Sequence, residues 1–368
     1  MKRVACIIVC LMLLSNLTAV SAEDISAEAA AVIDGDTGEI LYSFNCNERL
    51  PMASTTKIMT ALLLCELGGD LTAEIVTTRE MVTVEGSSMG LQAGDTVSYH
   101  DLLYGMLLAS GNDAANTTAI ALAGSVDKFV GLMNERAAQM GLKDTHFVTP
   151  SGLDADEHYT TAYELALIAK EALSNKYFAE AAASQSALLC YGNPPYNRTL
   201  TNHNRLLKMY DDIIGVKTGF TKKSGRCLVS ASKKDGKFVI AVTLNDKNDW
   251  ADHRTLLDLG MSLIETKEFS SADKSVTIPL AGGGKVSAEI PSASINVTEN
   301  SKITYLIKIP HFLYSPIKKG DEIGKIYYYC DEKEVCSKEI YSSVNTENSS
   351  KNKLALLIEI FKSILSSF

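Results

Sequence analysis

The spacing of apolar residues changes several times along this chain, and each change marks a different element. From Ala29, "AAAVIDGDTGEILYSFN" alternates around an Asp-Gly/Thr-Gly turn and predicts a β-hairpin. After Ser54 the run is almost wholly apolar, with Ile58, Met59, Leu62, Leu63 and Leu64, and predicts a helix stopped by Gly68-Gly69. "YHDLLYGMLLASGNDAANTTAIALAG" predicts two helices broken at "SGN". "SVDKFVGLMNERAAQMGL" predicts an amphipathic helix that stops at Gly141, and "TTAYELALIAKEAL" another helix. "GRCLVSASKKDGKFVIAVTLN" reads as a hairpin turning at Asp235-Gly236, and "ADHRTLLDLGMSLIE" as a closing helix. Helices bracketed by hairpins that are distant in sequence predict an α+β domain, an antiparallel sheet flanked by helices.

Past residue 268 the pattern turns to short strands and turns, which predicts a small all-β domain over 269–342. A polar linker, 343–353, follows. In "LALLIEIFKSILSSF", residues 354–368, Leu354, Leu357, Ile358, Phe361, Ile364, Leu365 and Phe368 share one face at helical spacing. Fifteen residues are too few to span a bilayer, which takes roughly 20. The segment therefore reads as an in-plane amphipathic helix on a membrane surface, the alternative being a helix docked on the protein itself. At the other end, Lys2 and Arg3 precede an apolar run that closes on Val20-Ser21-Ala22. This predicts a signal peptide over 1–22 and an exported protein whose α+β domain covers 23–268.

Composition narrows the function classes. A 46% hydrophobic and 21% charged chain of 368 residues is an ordinary globular protein, long enough for two domains. A formal net charge of −9 gives a nucleic-acid role no electrostatic support. The cysteines show no framework spacing, although Cys330 and Cys336 flank "DEKEV" and could meet across a hairpin. The histidines are dispersed and there is no Cys-x-x-Cys, so no metal site is expected.

The chemistry gathers at three places. Ser54-x-x-Lys57 puts a hydroxyl and an amine on one face of a helical turn. A lysine takes the proton of a serine only when desolvation lowers its pKa, and an apolar helix supplies desolvation. The pattern alone is equally that of an N-cap serine with a snorkelling lysine. It recurs at Ser125, Ser230, Ser271, Ser315 and Ser350, but only Lys57 sits on a helix apolar on nearly all sides. Ser110-Gly111-Asn112 sits at the break between two apolar helices, where a second hydroxyl can relay protons and an amide can hold a substrate carbonyl. Lys217-Thr218-Gly219, at the start of a predicted strand, offers a cation, a hydroxyl and a close backbone approach to an extended peptide.

In this order the three motifs are those of penicillin-binding proteins and serine β-lactamases. The chain resembles the low-molecular-mass D-alanyl-D-alanine carboxypeptidases over nearly its full length. The matching runs include "VIDGDTGEILYSFNCNERLPMASTTKIMTALL", "LLYGMLLASGNDAAN", "GLKDTHFVTPSGLD", "HYTTAYELALIA" and "GVKTGFTKKSGRCLVSAS". The resemblance implies a penicillin-binding catalytic fold and removal of the terminal D-alanine from peptidoglycan stem peptides, with β-lactams as substrate mimics and no cofactor. It implies Ser54 as nucleophile, Lys57 as general base, Ser110 as proton relay, Asn112 on the substrate backbone and Lys217 as the cation that polarises Ser110. Backbone N–H groups of Ser54 and Phe220 would form the oxyanion hole. The family often carries an arginine for the substrate carboxylate where this chain has Asp249, so that role would pass to Lys217, Thr218 or Arg226. His158 matches a family histidine near the site. The rival readings are a serine β-lactamase and a non-catalytic wall-binding protein.

Overall fold

The hairpin from Ala29 forms as strands β1 (Ala29–Asp34) and β2 (Ile40–Phe44) in a computed structural model that describes residues 25–281, 283–299, 301–346 and 362. Asp34 makes the turn: its Oδ1 accepts the N–H groups of Asp36 and Thr37, at 2.9 and 2.7 Å. A second sheet, in spatial order, is β3 (Glu74–Val76), β4 (Thr96–Ser98), β5 (Ser186–Gly192) and β6 (Pro195–Thr201). The predicted hairpin at Asp235-Gly236 joins β8 (Gly225–Lys234) to β9 (Lys237–Leu244), and β7 (Ile213–Thr221) lies beside β8. The principal sheet runs β2-β1-β9-β8-β7, antiparallel throughout, with β7 at its edge.

Strand β1 is buried on both faces, so it alternates in partners and not in polarity. Ala29, Ala31 and Ile33 join one large core with the Lys57–Leu67, Tyr99–Leu107 and Ala162–Ser174 helices. The opposite face meets the Asp249–Leu263 helix at Gly260. A side chain there would stand 2.6 Å from Val239 and 2.8 Å from Val32, so glycine sets how close the helix can approach. This is the expected α+β arrangement.

The chain divides into two units, one ending at Met261 and the next beginning at Ser262. Among the described residues, the second unit is built of eight strands between Glu265 and Tyr341, around Ile278, Val286, Ile295, Ile326, Tyr328 and Ile340. Its hairpin of Glu322–Cys330 and Lys333–Tyr341 corrects the idea that Cys330 meets Cys336. The register sets Cys330 opposite Lys333 and Cys336 opposite Tyr328, on different rungs. The expected signal peptide and the expected amphipathic helix at 354–368 lie outside the described residues. Among those described, no helix is long and apolar enough to cross a membrane.

Candidate active site

Ser54 sits in a single 3-10 turn, Ala53–Thr56, that leads into the Lys57–Leu67 helix. The turn is locked from below. Thr55 and Thr56 hydroxyls donate to the carbonyls of Met52 and Ala53, at 2.6 and 2.8 Å. Ala53 takes a positive φ of 47°, a strained backbone of the kind found at functional turns. Gly152 packs against it so closely that a Cβ would fall 1.9 Å from Ala53 O. The turn thereby holds Ser54 half-buried while Lys57, the first helical residue, is fully buried.

The position of the Lys57 amine is defined by three contacts. Nζ lies 2.9 Å from Ser54 Oγ and donates to Asn112 Oδ1 at 2.7 Å and to the Ser151 carbonyl at 2.6 Å. Two of these partners are carbonyl oxygens, which can only accept. A neutral amine has two N–H donors and one lone pair. In that state its donors go to Asn112 and Ser151 and its lone pair faces the Ser54 hydroxyl, whereas a protonated Lys57 would donate its third N–H to Ser54 Oγ. Burial drives the Lys57 pKa well below its ordinary value and the nearby Lys217 charge lowers it further, with Asp113 opposing.

Asn112 is the first residue of its helix, and its Nδ2 donates to Glu85 O at 2.6 Å, which turns Oδ1 toward Lys57. Both ends of this amide are engaged by protein groups, so Asn112 positions Lys57 here. Ser110 has a positive φ of 58° in the break between the two helices. Lys217 Nζ donates to Ser110 Oγ at 3.0 Å and to Thr218 O at 2.8 Å. Lys217 is also fully buried, and burial lowers its pKa to about 7. The three motifs thus meet in one place, although they lie far apart in the chain.

Lys217-Thr218-Gly219 falls in the middle of β7 and not at its start, because Ile213–Val216 already pair with β8. At Gly219 an added Cβ would meet Met52 O and Ser54 N, at 3.0 and 3.1 Å, so the edge strand runs directly beside the nucleophile turn. Phe220 is two-thirds exposed at the mouth. Arg226 stands opposite it on β8, and Asp249 lies beside Arg226, with Nη1 and Oδ1 3.5 Å apart. A pocket of about 570 Å³ contains Ser54, Ser110, Thr218, Gly219, Phe220, Arg226 and Asp249.

His158 is bound between two partners. Its Nδ1 accepts the Val148 N–H at 2.9 Å, so the proton belongs on Nε2, which donates to Thr56 Oγ1 at 2.8 Å. Burial lowers its pKa to about 4, and the ring is neutral at pH 7. It braces the turn under Ser54 and does not touch the Ser54 or Lys57 side chain through any hydrogen bond. The decoy at Ser125 behaves as a helix N-cap: its side chain accepts the Lys128 N–H, and Lys128 is exposed.

Three features escaped the sequence. The Ser151 carbonyl that fixes Lys57 is a backbone group and leaves no compositional trace. Asp113 accepts from Ser88 Oγ at 2.6 Å and from the Met89, Gly90 and Leu91 N–H groups at 3.0 Å each, clamping that loop beside Gly111, where an added Cβ would stand 3.1 Å from Met89 N. Its only signal was an acid in the first turn of a helix. His203, Arg205 and Lys208, from a segment with no motif, also line the pocket, as does Trp250. Among the described residues, no group of three His, Cys, Asp or Glu side chains could hold a metal ion.

Comparison with known proteins follows the same division. A family model described as D-alanyl-D-alanine carboxypeptidase matches residues 16–248, and one described as penicillin-binding protein 5, C-terminal domain, matches residues 265–348. The chain is 33% identical over 314 residues to D-alanyl-D-alanine carboxypeptidase DacF of Bacillus subtilis, covering 82% of this chain and 80% of that one. It is 32% identical to DacC of Escherichia coli over 359 residues, 89% of this chain and 86% of that one. Among solved structures, the Streptomyces K15 DD-transpeptidase superposes with a TM-score of 0.62 at 31% identity, covering 65% of this chain and 98% of the other. The carboxypeptidase DacD from Francisella tularensis gives 0.63 at 26% identity, covering 88% and 94%.

Proposed function

The chain belongs to the D-alanyl-D-alanine carboxypeptidase family, and from that membership we propose how this serine-type hydrolase divides its work among named residues. Ser54 Oγ attacks the carbonyl of the D-alanyl-D-alanine bond in a peptidoglycan stem peptide as its proton moves to the Lys57 lone pair. The new Ser54 O–C bond forms, and negative charge on the carbonyl oxygen is met by the backbone N–H groups of Ser54 and Phe220. Ser110, polarised by the Lys217 cation, relays the proton taken up by Lys57 to the leaving nitrogen, regaining one as it gives one, the C–N bond breaks, and D-alanine departs. Water then hydrolyses the acyl-enzyme. The strand edge from Lys217 through Gly219 to Phe220 aligns the peptide backbone, while Asn112 holds the Lys57 amine. The observation that carries this reading is the Lys57 contact set: two carbonyls take its N–H groups and Ser54 takes what remains.

A β-lactam presents a strained amide to the same atoms, so it acylates Ser54. Intact-mass measurement after adding a labelled penicillin is expected to show one adduct per chain, which peptide mapping places on the peptide containing Ser54. An adduct on any other serine defeats the assignment. Slow loss of the adduct fits a carboxypeptidase, whereas rapid penicillin turnover would fit a β-lactamase.

The remaining layout follows from export. Residues 1–22 act as a signal, 23–268 form the catalytic domain, 269–342 the β domain and 343–353 a linker. The 354–368 helix lies in the outer face of the cytoplasmic membrane through its apolar stripe. A chain ending at Lys353 is expected to move from the membrane to the soluble fraction while it still binds penicillin. Retention on anionic vesicles after that truncation would count against the anchor.

A further inference from the structure

A second cavity, of about 890 Å³, lies wholly within the unit that begins at Ser262 and takes no part in the acylation chemistry. Three stretches of chain build it. The strands Ser275–Ala281 and Lys285–Glu289 pair so that Ser275 stands opposite Glu289. The segment before the first of them carries Ser270 and Lys274, and the end of the Lys333–Tyr341 strand brings Glu339 and Tyr341. The backbone around the cavity already has partners. The Ile290 N–H donates to Lys274 O at 3.0 Å, Tyr328 OH to Pro291 O at 2.8 Å, and the Ser343 N–H and Oγ both to Ser287 O, at 3.3 and 2.7 Å. The side chains are less engaged. Among the described residues, Ser270, Lys274, Ser275 and Glu289 make no side-chain hydrogen bond or ion pair with the rest of the molecule. Tyr341 is 51% exposed beside them.

Resting on the carboxypeptidase reading for the choice of polymer, we propose that this cavity binds the glycan strand of peptidoglycan, a neutral and polyhydroxylated chain of N-acetylated amino sugars. Charge selects the class. Lys325 Nζ lies 3.3 Å from Glu339 Oε1 and neutralises it, which leaves Lys274 and Glu289, one charge of each sign. Such a lining attracts neither a polyanion nor a polycation. Hydrogen bonding points the same way. The Glu289 carboxylate can only accept, the Lys274 ammonium can only donate, and the Ser270 and Ser275 hydroxyls do both. A sugar answers all of them, with hydroxyls that donate to Glu289 and ring and acetamido oxygens that accept from Lys274. The exposed Tyr341 ring offers a flat apolar surface to the C–H face of a sugar while its hydroxyl stays in water. A protein segment is a poorer occupant. An extended peptide needs a free strand edge or apolar pockets for its side chains. Here the neighbouring Ile290, Pro291 and Ser287 backbone groups are engaged, and Ile290 and Pro291 are the aliphatic part of the lining. The volume lies within the range of small-molecule sites, about 300–1,000 Å³, and suits a short oligosaccharide. Because this unit is covalently joined to the catalytic one, a glycan held here raises the effective concentration of the stem peptides that the same polymer carries.

The probe is the neutral tetramer of N-acetylglucosamine, titrated into the full-length protein and followed by calorimetry. Wild type is expected to bind it saturably at one site per chain. Tyr341→Ala and Glu289→Gln, both changes of exposed side chains, should each raise Kd at least about fivefold, while circular dichroism and the penicillin adduct on Ser54 stay as in wild type. Ser275→Trp, which fills the cavity, should abolish binding. The same variants should raise KM for polymeric peptidoglycan at least about threefold and leave KM for a soluble pentapeptide unchanged. Absence of saturable tetramer binding by wild type overturns the proposal, as does binding that survives all three substitutions. Tetramer binding that is lost when Ser54 is acylated also overturns it, by placing the sugar in the catalytic pocket. With Ser54 acylated, binding of a soluble stem peptide but not of the tetramer would make the cavity a peptide site and reject the glycan. An unchanged KM for the polymer in variants that no longer bind the tetramer overturns it too, because the cavity would then not meet the wall. Failure of wild type to take the penicillin adduct defeats the Ser54 reading instead, and leaves the tetramer titration to judge the cavity.

Discussion

Ser54→Ala is expected to lower D-alanine release by at least about 10⁴-fold and to abolish the penicillin adduct, with folding retained. Alanine cannot form the acyl-enzyme, and no second hydroxyl takes its place: Ser110 is held by Lys217 and Ser54 by Lys57. The fold should survive because Ser54 is half-buried and contributes one hydrogen bond, while Thr55 and Thr56 keep the turn closed. Lys57→Met should have an effect of similar direction. It removes the base while filling the same apolar space, though it leaves the Asn112 and Ser151 oxygens without their donor. D-alanine release measured by chromatography, with circular dichroism as the folding control, decides both. Retention of more than about one hundredth of wild-type kcat/KM in Ser54→Ala would remove Ser54 from the mechanism.

The second large effect concerns pH. The scheme needs Lys57 neutral and Lys217 charged together. Lys57 regains its proton as pH falls through its lowered pKa, and that gives the acid limb of kcat/KM. Lys217 loses its proton as pH rises through about 7, and that gives the alkaline limb. A bell-shaped profile results. In Lys217→Arg the guanidinium stays charged, so the alkaline limb near 7 should vanish even if the peak rate is lower. A wild-type profile that is flat from about pH 6 to about pH 9, or a Lys217→Arg profile with the same alkaline limb, would deny Lys217 this role. The same burial acts on stability. Unfolded Lys217 titrates at its ordinary 10.5, so between about 7 and 10.5 the unfolded chain binds more protons than the folded one. Through this group, stability rises with pH across that window.

How much of this was legible beforehand depends on the residue. The Ser54 and Lys57 pair stood out because the helix after it is apolar on nearly every side, so a lysine there had to be desolvated. The same test dismissed Ser125, whose lysine sits on an amphipathic helix and points to water. The β5–β6 hairpin was not foreseen. Leu188 and Tyr196 in it are 67% and 56% exposed, so its apolar residues do not mark one buried face, and period-two reasoning has nothing to read. The placement of Lys217 within its strand was misjudged by four residues, since Gly215 breaks an apolar run that is nonetheless paired.

The sequence by itself determined which residue types could do the chemistry, and that a lysine must lie in a dry helix. It did so because nearest-neighbour spacing within one helical turn is fixed by backbone geometry. Only the tertiary structure brings Ser54 Oγ, Asn112 Oδ1 and the Ser151 carbonyl around the Lys57 amine, gathers the Met89, Gly90 and Leu91 N–H groups on Asp113, and sets Lys217 against Ser110. Those arrangements depend on carbonyls, carboxylates and strands brought together from distant parts of the chain, and chain order carries no record of where such groups converge.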